Sequence, residues 1–188
     1  MDQLIWQNII NGDKRAYENL YILYFKKFYN YGRKFTPDEV LIEDSIQELF
    51  LDIWTKKEKM LRVSAPNQYF FSSFRYLLFK KIRQSRRTVH STEFMEEPEF
   101  AVDQAIVHTE AGQELRTALQ AALQALTSRQ REAIFLRFYE GLSYEEVAAV
   151  LNISIKATYK IMARSLESLK GHMPVSTSAL LLLIKVFG

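Results

Sequence analysis

Two helix-start signals follow one another closely in the C-terminal third of this 188-residue chain. Thr127 is followed three residues later by Gln130, and Ser143 is followed three residues later by Glu146, so each pair fits the capping-box pattern. Gly141 lies between them and predicts a helix end, because glycine tolerates the left-handed backbone that closes many helices. This part of the chain is therefore predicted to contain two short helices joined by a sharp turn.

A third helix is predicted after a short turn at residues 152–154, and its two sides differ. Ser154 can cap it, and lysine, arginine and tyrosine lie mainly on one side of residues 155–170, where they can contact phosphates or base edges. Two structures fit this pattern: a helix-turn-helix whose last helix enters a DNA major groove, and a plain three-helix bundle with a solvated outer face. The pattern favours the first. The opposite, inner side comprises Thr158, Met162, Ser165, Leu166 and Leu169. The predicted contacts to duplex DNA are Ser154, Lys156, Tyr159, Lys160 and Arg164.

Charges come in blocks along a chain that is predicted to be helical almost throughout. Only six glycines and four prolines interrupt it, and no run shows sustained strand alternation. Residues 36–55 carry acids without lysine or arginine, residues 59–92 carry lysine and arginine without acids, and residues 88–115 are acidic again. Such blocks favour separate partners: phosphate for the basic segment, and basic protein surfaces or solvent for the acidic ones.

We predict two helical domains joined by an acidic linker at residues 88–107. A loop of this length is uncommon inside one compact domain. The N-terminal domain would span residues 1–87, with helices that start at Asp2, Asp13, Thr36-Pro37 and Pro66. The C-terminal domain would span residues 108–173. Residues 174–188 form an apolar tail that is too short to cross a bilayer, and we favour a frayed or docked helix over a membrane-surface or partner contact.

The predicted N-terminal helices each have an apolar inner face. In the second helix this face comprises Ala16, Leu20, Leu23, Tyr24 and Phe28. In the third helix it comprises Val40, Ile46, Leu49, Phe50, Ile53 and Trp54. In the fourth helix the expected core residues are Phe70, Phe74, Leu77, Leu78 and Ile82. Aromatic and basic residues alternate along this last helix, which fits single-stranded nucleic acid because unpaired bases stack on rings while cations follow the backbone. Tyr76 is the best candidate for an exposed ring.

Four segments match one known arrangement of motifs. Residues 43–54 form an acidic helix, residues 69–75 begin the aromatic basic helix, and residues 126–132 and 154–160 lie in the predicted helix-turn-helix. Their order and spacing resemble the extracytoplasmic-function (ECF) group of bacterial RNA polymerase sigma factors over about residues 5–170. The run at residues 154–159 is similar to members common in Bacteroidetes.

The resemblance implies an all-α transcription initiation factor of the cytoplasm, with two small helical domains. Its partners would be core RNA polymerase, duplex promoter DNA at the −35 element and the non-template single strand of the −10 element. Members of this group are often held by an anti-sigma factor, and no direct membrane insertion is expected. The implied polymerase contacts, on one helix face, are Asp44, Gln47 and Glu48. The implied −10 contacts are Lys59, Arg62, Asn67, Arg75, Tyr76, Lys80 and Arg83. Tyr76 stands where the family usually has Asn, and Thr158 and Ser165 replace a usual apolar residue and a usual Ala.

Two other classes of function were weighed against this one. A free-standing helix-turn-helix repressor or activator would leave the acidic helix and the aromatic basic helix unexplained. An enzyme is disfavoured because His90, His108 and His172 are scattered and the sequence has no Gly-rich phosphate loop, nucleophile elbow or metal-ligand cluster. The chain has no cysteine, which excludes disulfides and suits a reducing cytoplasm. We therefore expect no catalysis, no metal and no cofactor.

Overall fold

A computed structural model describes residues 3–61, 63–89 and 118–172 of the chain. Every regular element in these ranges is helical, which confirms the predicted all-α class there. The chain divides into two compact units, Met1–Pro98 and Glu99–Gly188. Within the described ranges, no helix is both long enough and apolar enough to cross a membrane. Most of the predicted linker (residues 90–107) and the whole apolar tail lie outside the described residues, so the predicted domain limits stay a prediction.

The described part of the N-terminal unit contains five helices. They are α1 (Gln3–Ile10), α2 (Lys14–Arg33), α3 (Glu39–Thr55), α4 (Lys57–Met60) and α5 (Pro66–Val89). Gly12, with a φ of 88°, ends α1, and the Asp13 carboxylate caps α2 by accepting hydrogen bonds from the first backbone N–H groups. Asp38 caps α3 by accepting from the Leu41 N–H, so this helix starts after Pro37, later than the sequence suggests. Helix α5 extends to Val89, two residues into the predicted linker.

Aromatic rings from α2 and α5 fill the core of this unit. The rings of Phe28 and Phe74 stack with centroids 4.6 Å apart, and those of Tyr24 and Phe70 stack at 4.9 Å. Each such pair adds about 0.5–1.5 kcal/mol beyond the burial of its apolar area. The core residues predicted for α5 are all buried, as expected: Phe70, Phe74, Leu77, Leu78 and Ile82.

Helix α2 also lies very close to α3. A Cβ atom placed on Gly32 would come within 2.8 Å of Cγ2 of Ile42, which is closer than real Cβ contacts allow. Glycine is therefore needed at this position for close packing, although its backbone conformation is an ordinary helical one.

Two residues predicted to be buried are exposed. Leu23 is 54% exposed and Val40 is 70% exposed. The buried stripe of α2 is narrow, and Leu23 lies about 100° from its centre at 3.6 residues per turn. Val40 lies roughly opposite the buried stripe of α3, so it points away from α2 and α5. Ala16 and Trp54, which were also predicted to be buried, are half-buried.

The described part of the C-terminal unit forms the predicted helix-turn-helix. Its elements are α6 (residues 118–124), α7 (Ser128–Ile134) with a π-helical continuation at Phe135–Tyr139, α8 (Tyr144–Val150) and α9 (Ile155–His172). Both capping boxes are present, because each hydroxyl accepts from the N3 backbone and each N3 side chain accepts in return. Gly141, with a φ of 75°, follows the π-helical continuation of α7 and marks its end as predicted. The sequence did not predict the π-helical turn.

The inner face of α9 agrees with the predicted pattern. Thr158, Met162, Ser165 and Leu169 are buried, and Leu166 is half-buried. The two buried hydroxyls donate to backbone carbonyls four residues earlier, at 3.3 Å for Thr158 and 2.7 Å for Ser165. Because each hydroxyl donates to a carbonyl of its own helix or of the helix cap, Thr158 and Ser165 leave no unsatisfied donor against the neighbouring helices.

Candidate functional site

The outer face of α9 presents the residues that the sequence predicted for duplex DNA. Lys156, Tyr159, Lys160 and Arg164 are all exposed. Ser154 is exposed as well, and its Oγ accepts a hydrogen bond from the Ala157 N–H at 3.2 Å, which caps the helix as expected. The three cations lie on the side of α9 that is opposite to its buried stripe, and the Tyr159 ring lies beside them on the flank of the helix.

A stack of side chains that the sequence did not predict holds the tyrosine of this face. The ring of Tyr159 lies on the ring of Tyr144, with centroids 4.4 Å apart and an interplanar angle of 11°. The guanidinium of Arg137 lies over the other ring of this pair, 4.9 Å from the Tyr144 centroid. Each residue comes from a different element, so no spacing within one helix could have revealed the stack.

Several arginines of the C-terminal unit hold backbone carbonyls. Arg129 donates to the Leu151 carbonyl at 2.9 Å, and Arg131 donates to the Leu126 carbonyl at 2.7 Å. Arg137 donates to the Leu142 carbonyl at 2.7 Å. These bonds satisfy carbonyls at helix ends and in the turn, so they tie together the two helices that precede α9.

The basic residues predicted for the −10 element divide into exposed and engaged groups. Lys59 and Lys80 are exposed, whereas Arg83 is half-buried. Arg75 is half-buried, with its guanidinium 4.1 Å from the centroid of the Phe79 ring. Asn67 is half-buried, and its side-chain oxygen accepts a hydrogen bond from the Tyr24 hydroxyl. Arg62 lies outside the described residues.

Tyr76 stands at the edge of a cleft between α3 and α5. Its side chain is 64% exposed, which agrees with the prediction of an exposed ring. The cleft has a volume of about 300 Å³, and its walls are formed by Leu49, Asp52, Tyr69, Ser72, Ser73, Tyr76 and Leu77. In the part of the chain that the structure describes, the buried hydroxyl of Ser72 has no hydrogen-bond partner. The cleft therefore combines two aromatic rings and two leucines with two serines and one carboxylate.

The acidic residues of α3 differ in their surroundings. Asp44 and Gln47 are exposed, whereas the Glu48 carboxylate lies 3.1 Å from the Lys81 ammonium of α5. Val40 and Leu51, which is 62% exposed, lie on the same side of the helix as Asp44. The spacing of four, three and four residues from position 40 through 44 and 47 to 51 keeps these side chains on one stripe. We name residues 40, 44, 47 and 51 the outer stripe of α3.

The acids at the start of α8 behave as helix-capping groups. A hydrogen bond from its own backbone N–H, a bond with Ser143 and the Arg137 charge hold the pKa of Glu145 below its ordinary value. Negative charge at a helix N-terminus is favourable, so both carboxylates stabilise the start of α8, and Glu146 does so through the capping box predicted from the sequence. Among the described side chains, no three His, Cys, Asp or Glu residues come together as metal ligands.

Comparison with known protein families identifies the helix-turn-helix. A family model described as Sigma-70, region 4 matches residues 116–169. This range covers α6 to α9 almost completely, including the cap, the turn and the exposed cations. The C-terminal unit is thus of the class of DNA-binding domains called sigma-70 region 4.

Several relatives match nearly the whole chain. The RNA polymerase sigma-H factor of Pseudomonas aeruginosa is 25% identical over 187 residues, covering 95% of this chain and 97% of the relative. The ECF RNA polymerase sigma factor SigX of Bacillus subtilis is 24% identical, covering 85% and 84%. The ECF RNA polymerase sigma-E factor of Escherichia coli is 23% identical, covering 92% and 94%. The chain is thus similar over nearly its whole length to RNA polymerase sigma factors, two of them named as ECF sigma factors, which confirms the resemblance stated from the sequence. The likeness to Bacteroidetes members stays a prediction.

Two solved structures share the fold. CnrH in complex with the cytosolic domain of CnrY has a TM-score of 0.57 at 22% identity, covering 90% of this chain and 95% of CnrH. RpoE of Bartonella quintana, in complex with the anti-sigma factor NepR, has a TM-score of 0.59 at 21% identity, covering 86% and 99%.

Proposed function

We propose that this sigma factor initiates transcription by three separate contacts. The outer stripe of α3 binds core RNA polymerase, α5 and its cleft hold melted −10 DNA, and the outer face of α9 binds the −35 duplex. Three surfaces with different chemistry support these roles: an acidic and apolar stripe, an aromatic cleft with nearby cations, and a cationic helix face. The protein acts without catalysis of its own, and we place it in the cytoplasm because its DNA and polymerase partners are there.

The polymerase contact is supported by the mixed character of the outer stripe. Val40 and Leu51 are large apolar side chains left in water on either side of Asp44 and Gln47. A spacing of four and three residues suits packing against another helix, and the carboxylate selects a basic partner. Glu48 contributes less than the sequence suggested, because its carboxylate already pairs with Lys81.

The −10 contact is supported by the cleft beside Tyr76. An exposed ring next to a cleft of this size suits an unpaired base, because every base has a face that can stack. Lys80, one helical turn further along α5, is exposed and can contact the backbone phosphate. Lys59 is a second exposed cation of the same unit. Base stacking and phosphate contact together would hold the melted strand.

The −35 contact is supported by the first three turns of α9. A recognition helix uses its N-terminal residues for base edges, and Lys156, Tyr159 and Lys160 lie there. Arg164, one turn further, is exposed and can donate to a guanine edge or to phosphate.

The single observation that carries this proposal is the presence of the outer stripe of α3 in a chain that also bears a helix-turn-helix. A free-standing repressor or activator needs only the second feature. The test is to mix the chain with core RNA polymerase, measure co-elution and sequence the transcripts that the mixture starts on genomic DNA. Co-elution and defined start sites are expected. DNA binding without polymerase binding would refute the proposal and favour the repressor or activator.

We also propose that an anti-sigma factor regulates the chain. One solved structure with this fold is a complex with the anti-sigma factor NepR. Such a partner should compete with core polymerase for the chain. To test this point, the chain is purified from its own cells together with any bound inhibitor. We expect the inhibition of transcription to be lost when core polymerase is in excess.

A further inference from the structure

We infer that Tyr144 positions the Tyr159 ring so that this ring contacts a thymine methyl group in the −35 duplex. Tyr144 touches no DNA in this scheme and acts only through the stacked ring. The inference rests on the proposed function, because it assumes that α9 meets duplex DNA. Its basis is the contact between three elements: the π-helical turn, the start of α8 and the N-terminal half of α9.

The first step of the argument is the rigidity of the Tyr159 ring. The two rings are almost parallel, and Arg137 lies 4.9 Å from the Tyr144 centroid. Arg137 is itself fixed by its 2.7 Å bond to the Leu142 carbonyl. Tyr144 is the first residue of a capped helix, so its backbone is fixed too. Tyr159 is therefore ordered before DNA arrives, although 52% of its side chain stays exposed.

The second step concerns the kind of DNA contact that benefits from a fixed Tyr159 ring. A lysine ammonium can follow a phosphate over a range of positions, because charge attraction falls slowly with distance. Dispersion contact falls steeply, and a gap of about 0.5–1 Å forfeits a quarter to a half of it. A ring fixed by stacking therefore suits a short-range apolar contact. In the major groove the thymine C5 methyl is the apolar group offered by a base.

The third step is the place of Tyr159 on α9. It is the fifth residue of the helix, within the part that meets base edges in helix-turn-helix proteins. Exposed cations at Lys156 and Lys160 lie on either side of it in sequence and can hold the phosphates of the same groove. The ring is therefore an apolar element in a cationic surface, held in place by the stack with Tyr144.

The experiment uses the full chain bound to core RNA polymerase, on a promoter found by transcript sequencing. Each thymine of the −35 element, on either strand, is replaced in turn by uracil, which keeps base pairing and removes only the methyl group. We expect one position at which uracil lowers the affinity of the wild-type complex about fourfold, the value of one buried methyl group. Tyr159→Ala and Tyr144→Ala should abolish this difference, whereas Tyr144→Phe and Tyr159→Phe should keep it.

The ratio of the affinity for the thymine duplex to the affinity for the uracil duplex distinguishes a positioning role of Tyr144 from a folding defect. A variant that is partly unfolded binds both duplexes less well and leaves their ratio unchanged. A ratio that survives Tyr144→Ala would overturn the positioning role of Tyr144. A wild-type complex with no uracil-sensitive position would overturn the methyl contact. Binding that ignores the −35 duplex altogether would refute the proposed function as well, so the two failures are distinguishable.

Discussion

Lys160 offers a direct test of the outer face of α9. Its side chain is exposed, and we propose that it neutralises one phosphate of the −35 duplex. Each phosphate contact with B-DNA contributes about 0.9 to the slope of log affinity against log salt. Lys160→Ala should therefore reduce the magnitude of that slope by about 0.9. Between about 50 and 200 mM salt, the variant should then lose about 3.5-fold less affinity than the wild type.

The assay is a titration of labelled promoter duplex with the polymerase complex at several salt concentrations. Lys170→Ala is the matched control, because Lys170 is exposed on the same helix about 15 Å further along its axis. Its slope should equal that of the wild type. Arg164→Lys keeps the charge and loses the bidentate fork, so it should preserve the slope while relaxing base choice if Arg164 contacts guanine. An unchanged slope for Lys160→Ala, with a reduced slope for Lys170→Ala, would show that the DNA-binding face has been misassigned.

Four further predictions concern the other surfaces and the caps. Asp44→Lys should weaken binding to core polymerase at least tenfold in a co-elution titration, because it reverses the only charge in the outer stripe. The control is Glu18→Lys, at an exposed position of α2, which should bind as the wild type does. Leu51→Ala should weaken the same complex, whereas Ile22→Ala, which removes an equally exposed side chain from α2, should leave it intact; equal effects would count against the stripe. Ser143→Ala should lower the free energy of unfolding of the C-terminal unit by about 1 kcal/mol in urea denaturation, because it removes the hydroxyl of a capping box. The pKa of Glu145 is lowered in the folded chain, so its carboxylate should stabilise the fold above the ordinary pKa of 4.5, and this stabilisation should be lost as the pH falls through the folded-state pKa. If Glu145→Gln leaves the loss of unfolding free energy at acid pH unchanged, this prediction is wrong.

Features set by neighbouring residues could be predicted from the sequence. The boxes at Thr127 and Ser143, the glycine stop at position 141 and the cap at Ser154 each depend on two or three residues close in the chain, and all are present. The two faces of α9 also follow from its period. Periodicity records one helix at a time, so it separates the two faces of a helix without showing which neighbouring elements cover them.

Features set by contacts between elements could not be predicted in this way. Val40 is apolar, but it lies opposite the buried stripe of α3, and α3 is covered on one side only, so this residue lies in solvent. The Glu48–Lys81 pair and the Tyr144–Tyr159 stack join residues far apart in the chain, and no local pattern relates them. The π-helical turn likewise has no signal in composition. The sequence could supply the set of candidate side chains. Whether each of them is exposed and able to bind a partner depends on which neighbouring elements cover it.

The absence of a side chain at Gly32 affects the orientation of the surface that we propose binds core polymerase. With 2.8 Å between a notional Cβ and the methyl of Ile42, even alanine would push the third helix outward or rotate it. Rotation of a helix moves its far side in the opposite sense, so the row of Val40, Asp44, Gln47 and Leu51 would turn with it. The missing side chain at Gly32, buried against Ile42, thus helps to keep the proposed polymerase-binding stripe of α3 in its orientation.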